Sequence, residues 1–344
     1  MPTISIIIPA YNAQTTLRPV LEAICSQQSL AEVVVVDDGS TDGTAAICAE
    51  FPVKLLSLPR NAGPAHARNV GARAATGELL LFLDADTCLA AGGLERIAAA
   101  FAADPGLDGL IGAYDDQPAA PGLIPAYRNL LHCYIHRNAR HDASTFWSGC
   151  GVIRAELFRQ AGGFDESYRR ASIEDLELGY RLHRGGARIV MDPALEVKHL
   201  KRWTLRSMLV CDVRDRGVPW TQLILRQRFM PADLNLGLTQ RLSVAGVFGG
   251  VLLLAGTPRA PDGRRLEMLA GAAVLLSAVL AINRGFYSFL YRRRGLRFTA
   301  GAAGLHLLFY FYNGVSFLVG LGCWALKSHP IRALRRRVSA MDAR

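Results

Sequence analysis

Cysteine occurs in none of the patterns that would give it structural or metal-binding work. The seven residues, at 25, 48, 88, 133, 150, 211 and 323, are scattered and never spaced CxxC. That sets aside a disulfide framework and a zinc site, and suggests reduced thiols in a cytosolic setting. A targeting segment is also missing. Thr3–Ile8 is too short for an apolar targeting core and Pro9 follows at once, so the soluble part is expected to stay in the cytoplasm. No glycine-rich, basic phosphate loop follows the first apolar run. Ala10-Tyr11-Asn12-Ala13 stands there instead, which speaks against a nucleotidyltransferase. Internal repeats and low-complexity tracts are absent as well.

Long apolar runs are missing before about residue 240 and dominate after it. The chain has 344 residues, 51% of them hydrophobic, with a mean hydropathy of +0.18. Leu242 to Thr257 is an apolar run of sixteen residues, Leu266 to Ile282 of seventeen and Ala300 to Leu326 of twenty-seven. About 17 to 20 residues are needed to cross a bilayer as a helix, so the third run suffices and the first two are marginal. The net charge is +10, and much of it hugs these runs. Arg284, Arg292, Arg293, Arg294 and Arg297 precede the third; Lys327, Arg332, Arg335, Arg336 and Arg337 follow it. Such placement fits anionic membrane lipids. It does not form the basic stripe with interleaved aromatics that a nucleic acid would want. A single crossing between residues 299 and 327 would put the two basic clusters on opposite sides, against the positive-inside tendency. A shallow hairpin of the first two runs with a spanning third, or one re-entrant run, would meet that conflict. The expected division is an α/β domain over 1–200, a basic and aromatic neck over 201–241, a membrane region of two to three helices over 242–326, and a basic tail over 327–344.

Within the first 90 residues strand and helix signals alternate. Ile4–Ile8, Val33–Val36 and Leu79–Leu83 are apolar or β-branched runs that read as buried strands, and Val53–Leu58 reads as a further strand. Thr15–Gln28, residues 42–50 and Gly63–Ala75 read as helices between them. The fold class expected is α/β, a doubly wound, mostly parallel sheet with helices on both faces. Its polar motifs fall at the carboxyl ends of strands one, two and four, where ligands of open α/β sheets bind.

Asp84 and Asp86 are two apart at a strand end, so their carboxylates point to one side. Paired hard oxygen ligands can hold Mg²⁺ or Mn²⁺ and leave room for diphosphate oxygens. Asp37 and Asp38 end the second strand; they can cap the next helix, with Ser40 or Thr41, and also accept from a base or ribose. Pro9, Ala10 and Tyr11 would form the opposite wall. Glu174-Asp175 is either an acidic helix start that suits the dipole or a carboxylate base. Trp147, Ser148 and Gly149 are read as lining an acceptor pocket. His132, His136, Arg137, Arg140 and His141, with apolar residues between, read as an amphipathic interfacial helix or an ordinary solvated face.

In order, Ile7-Ile8-Pro9-Ala10-Tyr11-Asn12, Val36-Asp37-Asp38-Gly39-Ser40-Thr41-Asp42-Gly43-Thr44, Asn61-Ala62-Gly63 through Ala67-Arg68-Asn69, Asp84-Ala85-Asp86, Gly162-Gly163-Phe164-Asp165-Glu166 and Glu174-Asp175 resemble a membrane-anchored, bacterial-type family 2 glycosyltransferase of the GT-A fold. The resemblance covers roughly residues 3 to 200. It implies a nucleotide-sugar donor, UDP-linked in most of the family, and a divalent cation cofactor with Asp86 the more direct ligand. It further implies Asp38 against the base, Arg68 toward the diphosphate, Asp175 as base with Glu174 in support, and His199 completing the metal shell. The activity so implied is an inverting, metal-dependent transfer to a hydroxyl of a lipid-linked or membrane-associated acceptor, at the cytoplasmic face of the inner membrane. A polyprenyl-phosphate acceptor would be ionised already and need no base, so the Glu-Asp pair favours a hydroxyl. A catalytically silent nucleotide-binding scaffold is a further alternative, which loss of Asp86 or Asp175 would have supported. The Gln-x-x-Arg-Trp motif of processive polysaccharide synthases is not matched by Arg216-Gly217-Val218-Pro219-Trp220 or Gln240-Arg241, so single-sugar transfer is expected.

Overall fold

The structure is a computed structural model and describes residues 2–27, 31–230 and 237–328. The chain forms two units. Of the described residues, the first comprises 2–27, 31–205, 237 and 285–302, and the second 206–230, 238–284 and 303–328. All but the first two residues of the expected basic tail lie outside the described residues.

In the first unit, β1 (Ile4–Ala10), β2 (Glu32–Asp37), β3 (Lys54–Ser57) and β4 (Leu79–Leu83) alternate with α1 (Leu17–Cys25), α2 (Thr44–Cys48) and α3 (Pro64–Ala74). Then come β5 (Thr87–Leu89), α4 (Gly93–Ala103), β6 (Gly109–Tyr114), α5 (Leu123–Arg137), β7 (Cys150–Arg154), α6 (Ala155–Gln160), α7 (Glu174–Arg184) and β8 (Ile189–His199). One eight-stranded sheet results, in the order β3-β2-β1-β4-β7-β6-β8-β5. Pairings among β1 to β4 are parallel, as is β6 with β8. β7 runs antiparallel to both its neighbours, and β5 antiparallel to β8. The doubly wound reading therefore holds, with a mixed second half.

The central strands are apolar without alternation because both sheet faces are covered. Ile6, Ile8, Val35, Leu81 and Leu83 pack with α1 on one face. Ile7, Leu80 and Phe82 pack with α3 and α6 on the other. Phe82 is fully buried, with the rings of Phe158 and Phe164 at 5.1 and 5.0 Å. α3 lies unusually close to the sheet at Gly71, where a Cβ would stand 2.5 Å from the Ile7 Cγ2.

The second unit is helical: α8 (Leu205–Val210), a π-helical stretch Cys211–Gly217, α9 (Val218–Gln227), α10 (Leu238–Gly256), α11 (Asp262–Ile282) and most of α12 (Arg284–Ser328). α10 and α11 have 19 and 21 residues, because polar residues at their starts, such as Thr239, Gln240, Asp262 and Arg264, are helical too. Among the described residues three helices are thus long and apolar enough to cross a membrane. Gly295 interrupts α12 with φ 76° and ψ −178°, a backbone state essentially confined to glycine.

The expected membrane region of 242–326 included residues 285–302, which here cluster with the first unit. Leu290 and Ala302 are fully buried there. The Phe286 ring meets Tyr134 on α5 at 5.2 Å, and Phe289 meets it at 5.5 Å.

Candidate active site

An apolar strand can give way to polar residues only where it leaves the core, and here the four parallel strands leave it at one edge. Pro9 and Ala10 end β1, and Tyr11 beyond them is 50% exposed. Asp37 and Asp38 at the end of β2 are both buried. The Asp37 Oδ1 accepts from the Ser40 amide at 2.9 Å and so shapes the turn. Asp38 accepts from the amides of Ala62 at 2.7 Å and Gly63 at 2.9 Å. It thereby holds the loop before α3. Gly63 has φ 98°, and a Cβ there would press on the Arg169 backbone at 2.5 Å.

Arg68 enters from α3 with its side chain 5% exposed. It donates through one terminal nitrogen to Asp84 Oδ1 at 2.7 Å and through the other to Glu174 Oε1 at 2.9 Å. Its guanidinium lies 5.5 Å from the Phe164 ring centre. Burial acts against its charge, but the carboxylates of Asp84, Glu174 and Asp175 outweigh that and hold its pKa above the ordinary value. Arg68 is thus a buried link between the end of β4 and the start of α7. The loop before α7 is fixed in turn by Asn69, whose Oδ1 accepts from the Phe164 amide and whose Nδ2 donates to the Phe164 carbonyl, each at 2.9 Å. Gly162 and Gly163, at φ 80° and 73°, allow that loop to bend back.

Asp84 and Asp86 leave β4 together. Shelter from water raises the pKa of Asp84 even against the charge of Arg68. Shelter pushes Asp86 the same way, but the hydrogen bond and charge of His199 and the charge of Lys201 take it below the usual carboxylate range. His199 Nε2 lies 3.5 Å from Asp86 Oδ2. β8 places it there, since His199 is paired with Thr87 in the β5–β8 ladder. The carboxylate oxygen suits Mg²⁺ or Mn²⁺, while the imidazole nitrogen beside it is a softer donor that Mn²⁺ accepts more readily than Mg²⁺. Among the described residues no group of three His, Cys, Asp or Glu side chains could hold a metal ion on its own.

β7 runs against β4, with Cys150 opposite Leu83, so Trp147, Ser148 and Gly149 arrive at the same edge. The Ser148 amide donates to Asp175 Oδ2 at 3.3 Å, and its hydroxyl lies 3.5 Å from the same oxygen. The Trp147 ring folds over Gly149, where a Cβ would come within 2.5 Å of it. Glu174 is 3% exposed and Asp175 is partly exposed, so Asp175 is the more accessible of the Glu-Asp pair. The structure therefore brings the ends of β1, β2, β4 and β8, the start of β7 and the start of α7 to one edge.

Sequence reading missed an aromatic and imidazole cluster behind Trp147. The Tyr114 ring, at the end of β6, stacks on His199 at 4.7 Å and on His136 at 5.6 Å. It meets Trp147 edge-on at 4.8 Å and His132 at 5.7 Å. His132 and His136 thus point into the domain, not onto a solvated face. Arg128, four residues before His132, sits 5.2 Å from the Trp203 ring centre, and the Lys201 ammonium 4.4 Å from it. The 128, 132, 136 spacing on one helix face, opposite the aromatics at 114, 147 and 203, was the available signal.

Residues 5–162 match the family model described as Glycosyl transferase family 2. The pre-mycofactocin glycosyltransferase of Mycobacterium tuberculosis is 28% identical over 216 residues, covering 60% of this chain and 44% of that one. The succinoglycan biosynthesis protein ExoO of Rhizobium meliloti is 39% identical over 101 residues, 28% of this chain and 29% of that one. The chain thus spans less than half the length of these curated relatives. Among solved structures, the mannosyltransferase PcManGT of Pyrobaculum calidifontis, in complex with GDP-Man and Mn²⁺, aligns with a TM-score of 0.51 at 20% identity, over 95% of this chain and 88% of that one. TarS of S. aureus, residues 1–349, in complex with UDP-GlcNAc, aligns with a TM-score of 0.51 at 18% identity, over 92% of each chain. At such identities the likeness establishes a shared GT-A fold and nothing finer.

Proposed function

Residues 5–162 are a family 2 glycosyltransferase domain, and from that premise we propose that the protein moves a sugar from a nucleotide-sugar to an acceptor hydroxyl, with inversion. The observation that carries the reading is Arg68, buried and bonded to both Asp84 and Glu174. It ties the acidic end of β4 to the helix that bears Asp175, and so links the proposed donor-binding groups to the proposed base.

In this reading Pro9, Ala10, Tyr11, Asp37 and Asp38 frame the base and ribose. Asp86 and His199, with Asp84 beside them, would hold Mn²⁺ or Mg²⁺. When bound, the cation neutralises charge developing on the departing diphosphate. Asp175 takes the proton of the acceptor hydroxyl at its Oδ2 edge, with the Ser148 amide fixing that carboxylate. Trp147 and Gly149 form the wall on which the acceptor sugar rests. Glu174 compensates Arg68 and orients the start of α7.

The apolar helices support attachment to the cytoplasmic membrane, with the first unit on the cytoplasmic side and a lipid-linked or membrane-associated acceptor. The likeness to proteins of succinoglycan and mycofactocin biosynthesis suits assembly of a glycan or a glycosylated product. The test is donor hydrolysis by the detergent-solubilised full chain against a panel of nucleotide-sugars, with and without Mn²⁺. Cation-dependent cleavage of one donor, lost in Asp175→Asn when an acceptor is supplied, is expected. No cleavage and no nucleotide binding would leave a silent scaffold as the better reading.

A further inference from the structure

Residues 285–294 form a helix docked on α5 by one face only. Phe286 and Leu290 are buried there. Arg293, on the same side, pairs with Asp116 and lies 5.7 Å from the Phe289 ring centre. Asp116 also accepts from Arg137 at 3.1 Å, so the helix is tied to the loop that follows β6. At 100° per residue, Ser288 and Tyr291 occupy the middle of the opposite face, with Arg292 and Arg294 on its two flanks. Tyr291 is 59% exposed, and Leu296, just past the Gly295 break, is 72% exposed. Arg292, Arg294 and Arg297 are exposed and have no acidic partner within 4.0 Å among the described residues. Nearby carboxylates are therefore spent on Arg293 and Arg137, and the outward arginines are left uncompensated.

An exposed aromatic and leucine flanked by unpaired arginines is the composition of a helix lying in a headgroup layer. The arginine stems cover apolar ground while the guanidinium groups reach phosphate. Arg297 is three residues before the apolar run that starts at Ala300, so the chain enters its longest apolar stretch directly from this face. We propose that the outward face of residues 288–297 is a docking surface for anionic glycerophospholipid headgroups, and that Gly295 lets the chain turn from this in-plane helix into the following apolar one. Because Arg293 and Asp116 join the helix to the end of β6, which bears Tyr114, the surface holds the Trp147 and His199 side of the sheet at a fixed distance from the bilayer. This inference concerns membrane contact and stands whether or not the transferase reading does.

The full chain is reconstituted in nanodiscs of phosphatidylcholine, alone or mixed with phosphatidylglycerol, and hydrogen exchange is followed on peptides from 285–299. Each basic group near an anionic leaflet adds roughly fivefold to the local affinity. Exchange is therefore expected to slow by about tenfold or more when phosphatidylglycerol is present, and to recover at high salt. Arg292→Gln, Arg294→Gln and Arg297→Gln together should abolish the difference, while peptides from α5 keep their protection, which shows that the helix remains docked. Tyr291→Ser alone should weaken it less. Equal exchange in both kinds of disc would overturn the proposal, as would a triple variant that still responds to phosphatidylglycerol. So would full protection by free inorganic pyrophosphate in phosphatidylcholine discs, which would mark a soluble phosphate site.

Discussion

The two units differ in what they leave facing outward. In the first, the sheet interior is apolar and enclosed: Ile6, Ile7, Val34, Leu81 and Phe82 have no exposed surface. In the second, Leu252, Leu266 and Val274 are 68%, 75% and 67% exposed, while the polar groups turn inward. Asn283 donates to Ser243 Oγ at 2.9 Å and accepts from the Tyr310 hydroxyl at 2.8 Å. Tyr312 donates to the buried Asp212 of the π-helical stretch. Water drives the first arrangement. In hydrocarbon no such drive acts between helices, and polar pairing and close packing take over. Glycines serve that packing: at Gly314 a Cβ would stand 2.2 Å from the Phe248 ring. Buried polar groups therefore mean different things in the two places, the proposed chemistry at the sheet edge and helix pairing in the second unit.

The largest test of that contrast is on turnover. Asp175→Asn should lower kcat by about 10² to 10⁴ with little change in melting temperature, measured by sugar transfer in detergent. Asn283→Ala should leave kcat within a factor of about two, since its partners all lie in the second unit. Packing comes next. Phe82→Ala should cost about 3–5 kcal/mol through the lost ring contacts and the cavity left behind. Leu252→Ala, a change of comparable chemistry on an unburied side chain, should stay within about 0.5 kcal/mol. Denaturant titration of the solubilised chain compares them. Asn283→Ala itself should cost about 0.6 kcal/mol and at most about 1.7, the range of hydrogen bonds between membrane helices. A loss as large as that of Phe82→Ala would break the distinction.

A smaller effect lies in the first unit's response to acid. Burial raises the pKa of Glu32, but hydrogen bonds from Ser5 and from the Thr76 amide and hydroxyl outweigh it and lower the folded-state value. A depressed carboxylate stabilises the fold above its unfolded pKa of about 4.3 and loses that contribution as pH falls through the folded value. Glu32→Gln should therefore lower the melting temperature at neutral pH, by about 1 kcal/mol in stability, and change little near pH 3. Smallest of all is thiol reactivity. Burial pushes Cys150 and Cys133 up to about 12, so iodoacetamide should label the exposed Cys25 first and reach those two only on unfolding.

Much of this was readable in the order of residues. Four runs, each ended by proline or aspartate, gave β1 to β4 and the edge at which a ligand would bind; those of β1, β2 and β4 lack alternation because both their faces are covered. The fate of Arg68 was not readable. Arginine on a helix is ordinarily solvated, and only the meeting of α3 with the start of α7, 106 residues further on, buries it between two carboxylates. The lengths of α10 and α11 were underread for another reason: hydropathy ends where polar residues begin, but helical hydrogen bonding does not. Residues 285–302 were hidden by their neighbours, since Phe286, Phe289 and Leu290 look as apolar when docked on a soluble domain as when facing lipid.

The reversed direction of β7 has a consequence for how such a domain can diversify. On the proposed donor side Pro9 to Tyr11, Asp37, Asp38, Asp84 and Asp86 stand at or just past the ends of their strands, so lengthening the segment behind them would disturb the next crossover and the register of β1 to β4. On the proposed acceptor side Trp147, Ser148 and Gly149 precede theirs, at the end of a long excursion from residue 115 that includes α5. Insertions or deletions in that excursion can remodel what the enzyme accepts while the nucleotide half stays intact. One strand laid against the grain thus separates a part free to vary from a part that is not.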